Sequence, residues 1–383
     1  MSVYLDNAAT SFPKPEAVYQ AVLHAMRDIG ASPGRGGHRR SLAAGRLLFQ
    51  AREVVARLFA ITDSSRIIFT HSATEALNMA LRGILDSGDH VVTTSMEHNS
   101  LLRPLMALHR QGVAVSVVEA DARGLVDPED VKRALTPRTR MIAVGHVSNV
   151  CGTVQRLDAI ASVAHEAGAL LLVDAAQSAG SMAIDVQTLG IDLLAAPGHK
   201  GLLGPQGTGF LYAAPGLRIR PLLAGGTGSS STLEEQPDTL PEGLEPGTHN
   251  LPGIAGLKAG VEHVLAQGVE AIGRHERDLL AQADEALRQI DGVTLYGPAD
   301  PQCRGSVLSF TVTGLDAAEL AFLLDRDYDI AVRSGLHCAP RAHRTIGTFP
   351  GGTVRMSPGC FNTSEEIAIF CRAVVECVRK YRP

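Results

Sequence analysis

Apolar positions follow two different rhythms along this chain. Over residues 47–59, Leu47, Leu48, Ala51, Val55, Leu58 and Phe59 form one helical stripe. From about residue 66, short strand-like runs alternate with helical stretches. Ile67-Ile68-Phe69-Thr70 reads as a strand, and a helix opens from Ser72. Residues 91–94 read as a strand followed by a helix through Leu101 to His109. Strands at 113–118 and 141–147, a helix at 157–167, and strands at 170–173 and 193–196 complete the series. Such alternation predicts a mostly parallel sheet covered by helices on both faces. Ligands of such sheets bind at the carboxyl ends of the strands, where segments 72–75, 174–177 and 197–200 fall.

The rhythm breaks after Tyr212. Residues 225–250, rich in Gly, Ser, Thr, Pro and Glu, read as a long loop of the kind that is usually functional or a linker. Helices follow at about 251–266 and 269–290. The remainder reads as a smaller α+β unit, with strands near 293–296, 306–312 and 330–333 and helices at 316–326 and 363–380.

The 383 residues are 45% hydrophobic, enough for a sizeable core, and predict two or three domains. A net charge of -5 gives no footprint for nucleic acid or an anionic membrane. No apolar run approaches the ~20 residues that span a bilayer. The start, Met1 to Asp6, has neither a basic nor an apolar leader region. None of the six cysteines forms a C-x-x-C pair, which points to a reducing compartment and against a zinc site. A soluble cytoplasmic protein is expected.

Candidate chemistry starts at Lys200. Of five lysines, it alone sits in a glycine-rich apolar loop, Pro197-Gly198-His199-Lys200-Gly201-Leu202; the other four have polar or charged neighbours. Desolvation pushes an amine toward its neutral, nucleophilic form. Asp174 ends the apolar run that precedes this one by 26 positions, where it can hold a protonated pyridine nitrogen. The pairing suggests a Schiff-base lysine for pyridoxal 5'-phosphate (PLP). Residues 70–78, Thr-His-Ser-Ala-Thr-Glu-Ala-Leu-Asn, open a helix after a strand and can cradle the phosphate with backbone N–H groups and Thr74 Oγ. His98, just past strand 91–94, is placed to stack on a pyridine ring or to remain a surface histidine. In Arg333-Ser334-Gly335-Leu336-His337-Cys338-Ala339-Pro340, a cysteine beside a possible base suits a reactive thiolate. The other five cysteines are expected to be buried and inert. Arg355, on a strand-like stretch, could grip a carboxylate bidentately or form a plain salt bridge.

Several stretches together resemble the cysteine desulfurases of the class V aminotransferase group of fold-type I PLP enzymes. They are Tyr4 to Thr10, Pro33 to His38, His146 to Asn149, Asp174 to Gln177, Gly198 to Lys200, Gly247 to Asn250 and Arg333 to Ala339. The cysteine loop is similar to group II, which includes selenocysteine lyase-like enzymes. The resemblance covers essentially the whole chain. It implies a seven-stranded, mostly parallel sheet in a large domain, 14–250, with a small α+β domain of 1–13 plus 251–383. By the same resemblance Lys200 links PLP and moves protons, Asp174 pairs with the ring nitrogen, Gln177 bonds the ring hydroxyl, and His98 stacks. Ala73, Thr74 and His199 hold the phosphate, with Thr248 reaching in from a partner subunit. Asn149 and Arg355 orient the carboxylate of L-cysteine or selenocysteine, with His38 also on the substrate side, and Cys338 accepts sulfur. The implied assembly is a homodimer handing sulfur to an acceptor, as for Fe–S cluster or thio-cofactor assembly. β-Elimination, transamination and a non-catalytic scaffold are the alternatives. One departure stands out. Pro197 takes the place of the hydroxylated residue usual before Gly-His-Lys, and it offers neither a hydroxyl nor an N–H.

Overall fold

The computed structural model describes residues 2–34, 36–228 and 232–381. Arg35, inside the Pro33 to His38 motif, and the loop residues 229–231 lie outside the described residues. A seven-stranded sheet runs in the order Ile67–Thr70, Gly209–Ala213, Leu193–Pro197, Leu170–Asp174, Thr139–Gly145, His90–Thr94, Ala114–Val118. Only Gly209–Ala213 is antiparallel to its neighbours.

Side chains two apart share a face of a strand, and the core divides accordingly. Ile67, Phe69, Val92, Ile142, Val144, Leu171, Val173, Leu194 and Phe210 pack on one side. Ile68, Val91, Met141, Ala143, Leu172, Leu193 and Leu211 pack on the other. Both faces being covered explains why the strands read as unbroken apolar runs.

Within the long loop after Tyr212, Glu245 is drawn into the sheet edge. Its carboxylate takes hydrogen bonds from the Phe69 N–H and the Arg52 guanidinium, while Arg52 Nε donates to the Ile67 carbonyl at 3.1 Å. The buried pair fixes the segment that carries Thr248.

A second core gathers Val3, Leu5, Leu308, Phe310, Leu324, Ile330, Val354, Met356, Phe370 and Val374 around a four-stranded antiparallel sheet. The first residues join it because Val3–Tyr4 pairs in parallel with Ile330–Ala331. The helix Leu251–Gln267, grouped with this unit in the sequence reading, instead buries Leu251, Ile254, Leu257 and Val261 in the first core. No described helix is long and apolar enough to cross a membrane.

Candidate active site

Three strand ends build the floor of a cavity of about 240 Å³. Ile67–Thr70 leads into the helix Ala73–Ile84, where the Ser72 hydroxyl caps the Glu75 N–H at 3.2 Å. The first N–H groups of that helix, at Ala73 and Thr74, have no acceptor within it and lie at the cavity wall. Leu170–Asp174 presents Asp174, and Leu193–Pro197 presents the turn that carries His199 and Lys200. That turn must be glycine at 198, because a Cβ there would stand 2.1 Å from Thr208 Oγ1. The cavity also takes in His98, Asn149, Gln177, Arg333 and Arg355. Nine of the twelve site residues expected from the sequence are therefore brought together. Cys338, Thr248 and His38 do not line this cavity. Thr248 lines a neighbouring surface pocket. The His38 ring accepts the Ser41 N–H as the cap of the helix Arg39–Leu58.

Burial decides the electrostatics. The Lys200 amine is pushed down to about 8 by desolvation, a change that Asp174 partly opposes. Burial raises Asp174, although the Ala176 N–H at 2.9 Å and the Lys200 charge stabilise its ionised form. His98 falls to about 4 through burial and the nearby Lys200, so its ring is neutral at pH 7. Its Nδ1 accepts the Ser100 N–H at 3.0 Å, which places the ring proton on Nε2. His199, also near 4 through burial, is held by its carbonyl, which accepts from Lys14 Nζ at 2.8 Å and the Ser11 N–H at 3.0 Å. The sequence reading gave Lys14 a polar setting. The structure packs it here, and desolvation lowers its amine to about 8.

Arg355, only 2% exposed, donates to Asp6 Oδ1 at 3.0 Å and to the Asn149 carbonyl at 3.0 Å. The salt bridge is real, and it orients the guanidinium while leaving Nε without a protein partner. Asn149 donates from Nδ2 to the His337 carbonyl at 2.7 Å and leaves Oδ1 unpartnered. His199 Nδ1 is also buried without a partner. Unmatched buried polar atoms are costly, and these lie on residues that line the cavity. They suit a ligand that carries anionic and hydrogen-bonding groups.

The cysteine loop differs from expectation in its base. His337 is buried, bonds Thr353 Oγ1 at 3.1 Å, and is driven to about 2 by burial. An imidazole this weakly basic is a poor proton acceptor for the exposed Cys338. His337 and Cys338 both take left-handed backbone, φ +47° and +58°, at a cost of order 1–3 kcal/mol each. The loop is held there by Asn149 on the His337 carbonyl and by the Asn99 N–H on the Cys338 carbonyl at 2.8 Å. Among the other cysteines, Cys151, Cys371 and Cys377 are buried as expected. Cys360 is half-buried, and Cys303 is exposed, with its thiol raised by slight desolvation and by Asp300.

Three residues near the site escaped the sequence reading: Asp6, Ser100 and Glu97. Glu97 adjoins His98 in sequence, the one local hint. Its carboxyl is buried, accepts from Thr94 Oγ1 at 2.6 Å and the Gly145 N–H at 2.9 Å, and is raised to about 8 by desolvation and then by Asp174. The native state thus keeps a proton that the unfolded chain releases above ~4.3. Stability from this group is complete below that value and is lost as pH rises toward 8. Glu97→Gln should flatten the fall in Tm between pH 5 and 8, measured on the cofactor-free protein. An unchanged slope would show that Glu97 ionises normally.

The model of the family Aminotransferase class-V matches residues 3–370. A probable cysteine desulfurase from Methanothermobacter thermautotrophicus is 40% identical over 381 residues, covering 98% of this chain and 94% of the relative. One from a Synechocystis species is 36% identical, covering 98% and 91%. Among solved structures, an apo cysteine desulfurase from Thermococcus onnurineus superposes with a TM-score of 0.93 at 35% identity, covering 99% of this chain and 95% of that one. A cysteine desulfurase from Escherichia coli gives 0.89 at 32%, with the same coverage of each chain. With a family match over nearly its whole length, a cavity floored by Asp174 and Lys200, and relatives of this similarity, the chain belongs to the class-V aminotransferase family.

Proposed function

We propose that the protein is a PLP-dependent cysteine desulfurase that converts L-cysteine to L-alanine and passes the sulfur to Cys338. The observation that carries the reading is the pairing of a desolvated lysine with a buried aspartate in one cavity, with an exposed cysteine on a loop tied to that cavity through Asn149. When bound, PLP supplies an electron sink for the carbanion formed at the substrate α-carbon.

The chain's own groups do the rest. The Ala73 and Thr74 N–H groups, the Thr74 hydroxyl and the His199 ring hold the phosphate. The Asp174 carboxylate keeps the ring nitrogen protonated, Gln177 bonds the ring hydroxyl, and the neutral His98 ring covers the pyridine. Arg355 and Asn149 orient the substrate carboxylate. Neutral Lys200 takes the α-proton at Nζ and returns it later. The Cys338 thiolate attacks the substrate sulfur: the Sγ–S bond forms, the substrate C–S bond breaks with its electron pair staying on the β-carbon, which takes up a proton on the way to alanine, and a persulfide is left for an acceptor protein.

We place Thr248 and His38 at the boundary of a homodimer, Thr248 contributing to the partner's phosphate site and His38 to the substrate side. The helices at the front of the chain expose Leu23, Met26, Leu42 and Phe49, and Leu223 is exposed beside Thr248. Large exposed apolar side chains such as these support that reading.

The test is product identification. Protein incubated with PLP and L-cysteine, and separately with selenocysteine, should form alanine. Pyruvate would point to β-elimination, a keto acid to transamination, and a protein that stays colourless with PLP to a scaffold.

Pro197 forms part of the cavity wall, paired across the strands with Gly209. One missing charge-assisted hydrogen bond is worth about 1.5–3 kcal/mol, roughly tenfold to hundredfold in binding. Once its link to Lys200 is displaced, PLP should leave the parent faster than Pro197→Ser. Equal release rates would sink the idea.

A further inference from the structure

The His337 ring sits at the end of a buried chain of hydroxyls whose far end fixes the direction of every bond in it. A carbonyl can only accept, so Ser309 Oγ donates to the Val150 carbonyl at 2.5 Å. Its proton is thereby used, and Ser309 Oγ accepts from Thr353 Oγ1 at 3.1 Å. The Thr353 proton is used in turn, so Thr353 Oγ1 accepts from His337 Nε2 at 3.1 Å. His337 is therefore protonated at Nε2 and bare at Nδ1, which has no hydrogen-bond partner among the described residues. Val150, Ser309 and Thr353 are fully buried, so bulk water does not replace a missing link.

The chain joins segments that are far apart in sequence. Ser309, on Leu308–Val312, and Thr353, on Thr353–Met356, belong to the small antiparallel sheet. Val150 follows the strand Thr139–Gly145 of the large one. Its neighbour Asn149 holds the His337 carbonyl at 2.7 Å. One residue is thus tied twice to positions 149–150, directly through its carbonyl and through the small sheet by its ring. Next along the chain, Cys338 is exposed while His337 is buried. The turn that separates them puts both in left-handed backbone, φ +47° and +58°. A non-glycine residue keeps that conformation only where its surroundings hold it, and the two ties on His337 supply the hold.

We propose that His337 is a positioning residue for sulfur transfer: its ring, anchored through Thr353 and Ser309 to the Val150 carbonyl, fixes the turn that presents the Cys338 thiol to the substrate. The catalytic consequence rests on the desulfurase reading above; the anchor itself does not. Burial drives the imidazole down to about 2, which suits an anchor and not a base.

The experiment compares three variants with the parent. Thr353→Val keeps the shape and removes the hydroxyl, Thr353→Ser keeps the hydroxyl, and Ser309→Ala cuts the chain one link further out. Neither position lines the main cavity, so PLP uptake should match the parent's in all three. With L-cysteine, Thr353→Val should keep KM and lose roughly tenfold to hundredfold in kcat, the range for a misplaced reacting group. Thr353→Ser should recover most of that loss. Ser309→Ala should show a smaller loss in the same direction, and it decides the matter if the valine variant folds poorly. On cofactor-free protein, 15N spectra should show the parent His337 as a neutral ring protonated at Nε2, and Thr353→Val should lose that single form. A merely structural threonine would lower Tm and leave both kcat and the ring form unmoved. A parent ring protonated at Nδ1 overturns the proposal, as do valine and alanine variants with the parent's kcat. A parent that forms no alanine would sink the desulfurase reading, and the ring spectra of parent and Thr353→Val would then decide the anchor by themselves.

Discussion

Lys200→Ala should form alanine from L-cysteine roughly 10²–10⁴-fold more slowly than the parent, the range for losing a positioned general acid–base. The variant should still bind PLP through the phosphate and ring contacts, but without the absorption band that depends on the lysine linkage. A small added amine should restore part of the rate by replacing the lost proton carrier. Lys14 shows why the assignment falls on Lys200. Both amines are lowered to about 8 by burial. Lys14, however, is spent on Ser11 Oγ and the His199 carbonyl and does not line the main cavity. Only Lys200 shares that cavity with Asp174. Turnover by Lys200→Ala at the parent's rate would remove the proposed chemistry altogether.

The second large effect is at Cys338. Cys338→Ala should lower alanine formation and sulfur release by about 100-fold or more, since the covalent route for sulfur is gone. The side chain is exposed, so Tm should change little. Cys303→Ala is the matched control. That thiol is also exposed, but it lies outside the cavity wall and is held in its protonated form beside Asp300. If Cys338→Ala kept the parent's rate, another group would be the acceptor. Burial drives His337 well down, which makes it a poor base for this thiol.

Six of the seven strands were legible because both faces of the sheet are covered, which leaves unbroken apolar runs of strand length; the antiparallel Gly209–Ala213 was not read from the sequence. Asp174 and Lys200 were legible because each follows such a run directly, and a parallel sheet brings those ends to one edge. Strands of two or three residues, Val3–Tyr4 and Arg333–Gly335, carry too little pattern to read. Glu97 and Asp6 were missed for another reason. A carboxylate looks the same in sequence whether it is solvated or buried; only burial beside Asp174 sets the state of Glu97, and only the fold brings Asp6 to Arg355. His337 misled for the converse reason. Adjacency to a cysteine suggested a base, but the left-handed backbone at both residues accompanies a buried imidazole and an exposed thiol.

By itself the sequence determined the alternating architecture, the lysine and aspartate of the cavity, and the cysteine on its loop. These follow from local periodicity and from residue chemistry at strand ends, both of which are properties of short segments. Tertiary structure alone decided which charges are desolvated, which polar atoms are left for a ligand, and how Arg355, Asn149 and the Cys338 loop are linked across about 200 positions of chain. Those depend on groups far apart in sequence sharing a place from which water is excluded.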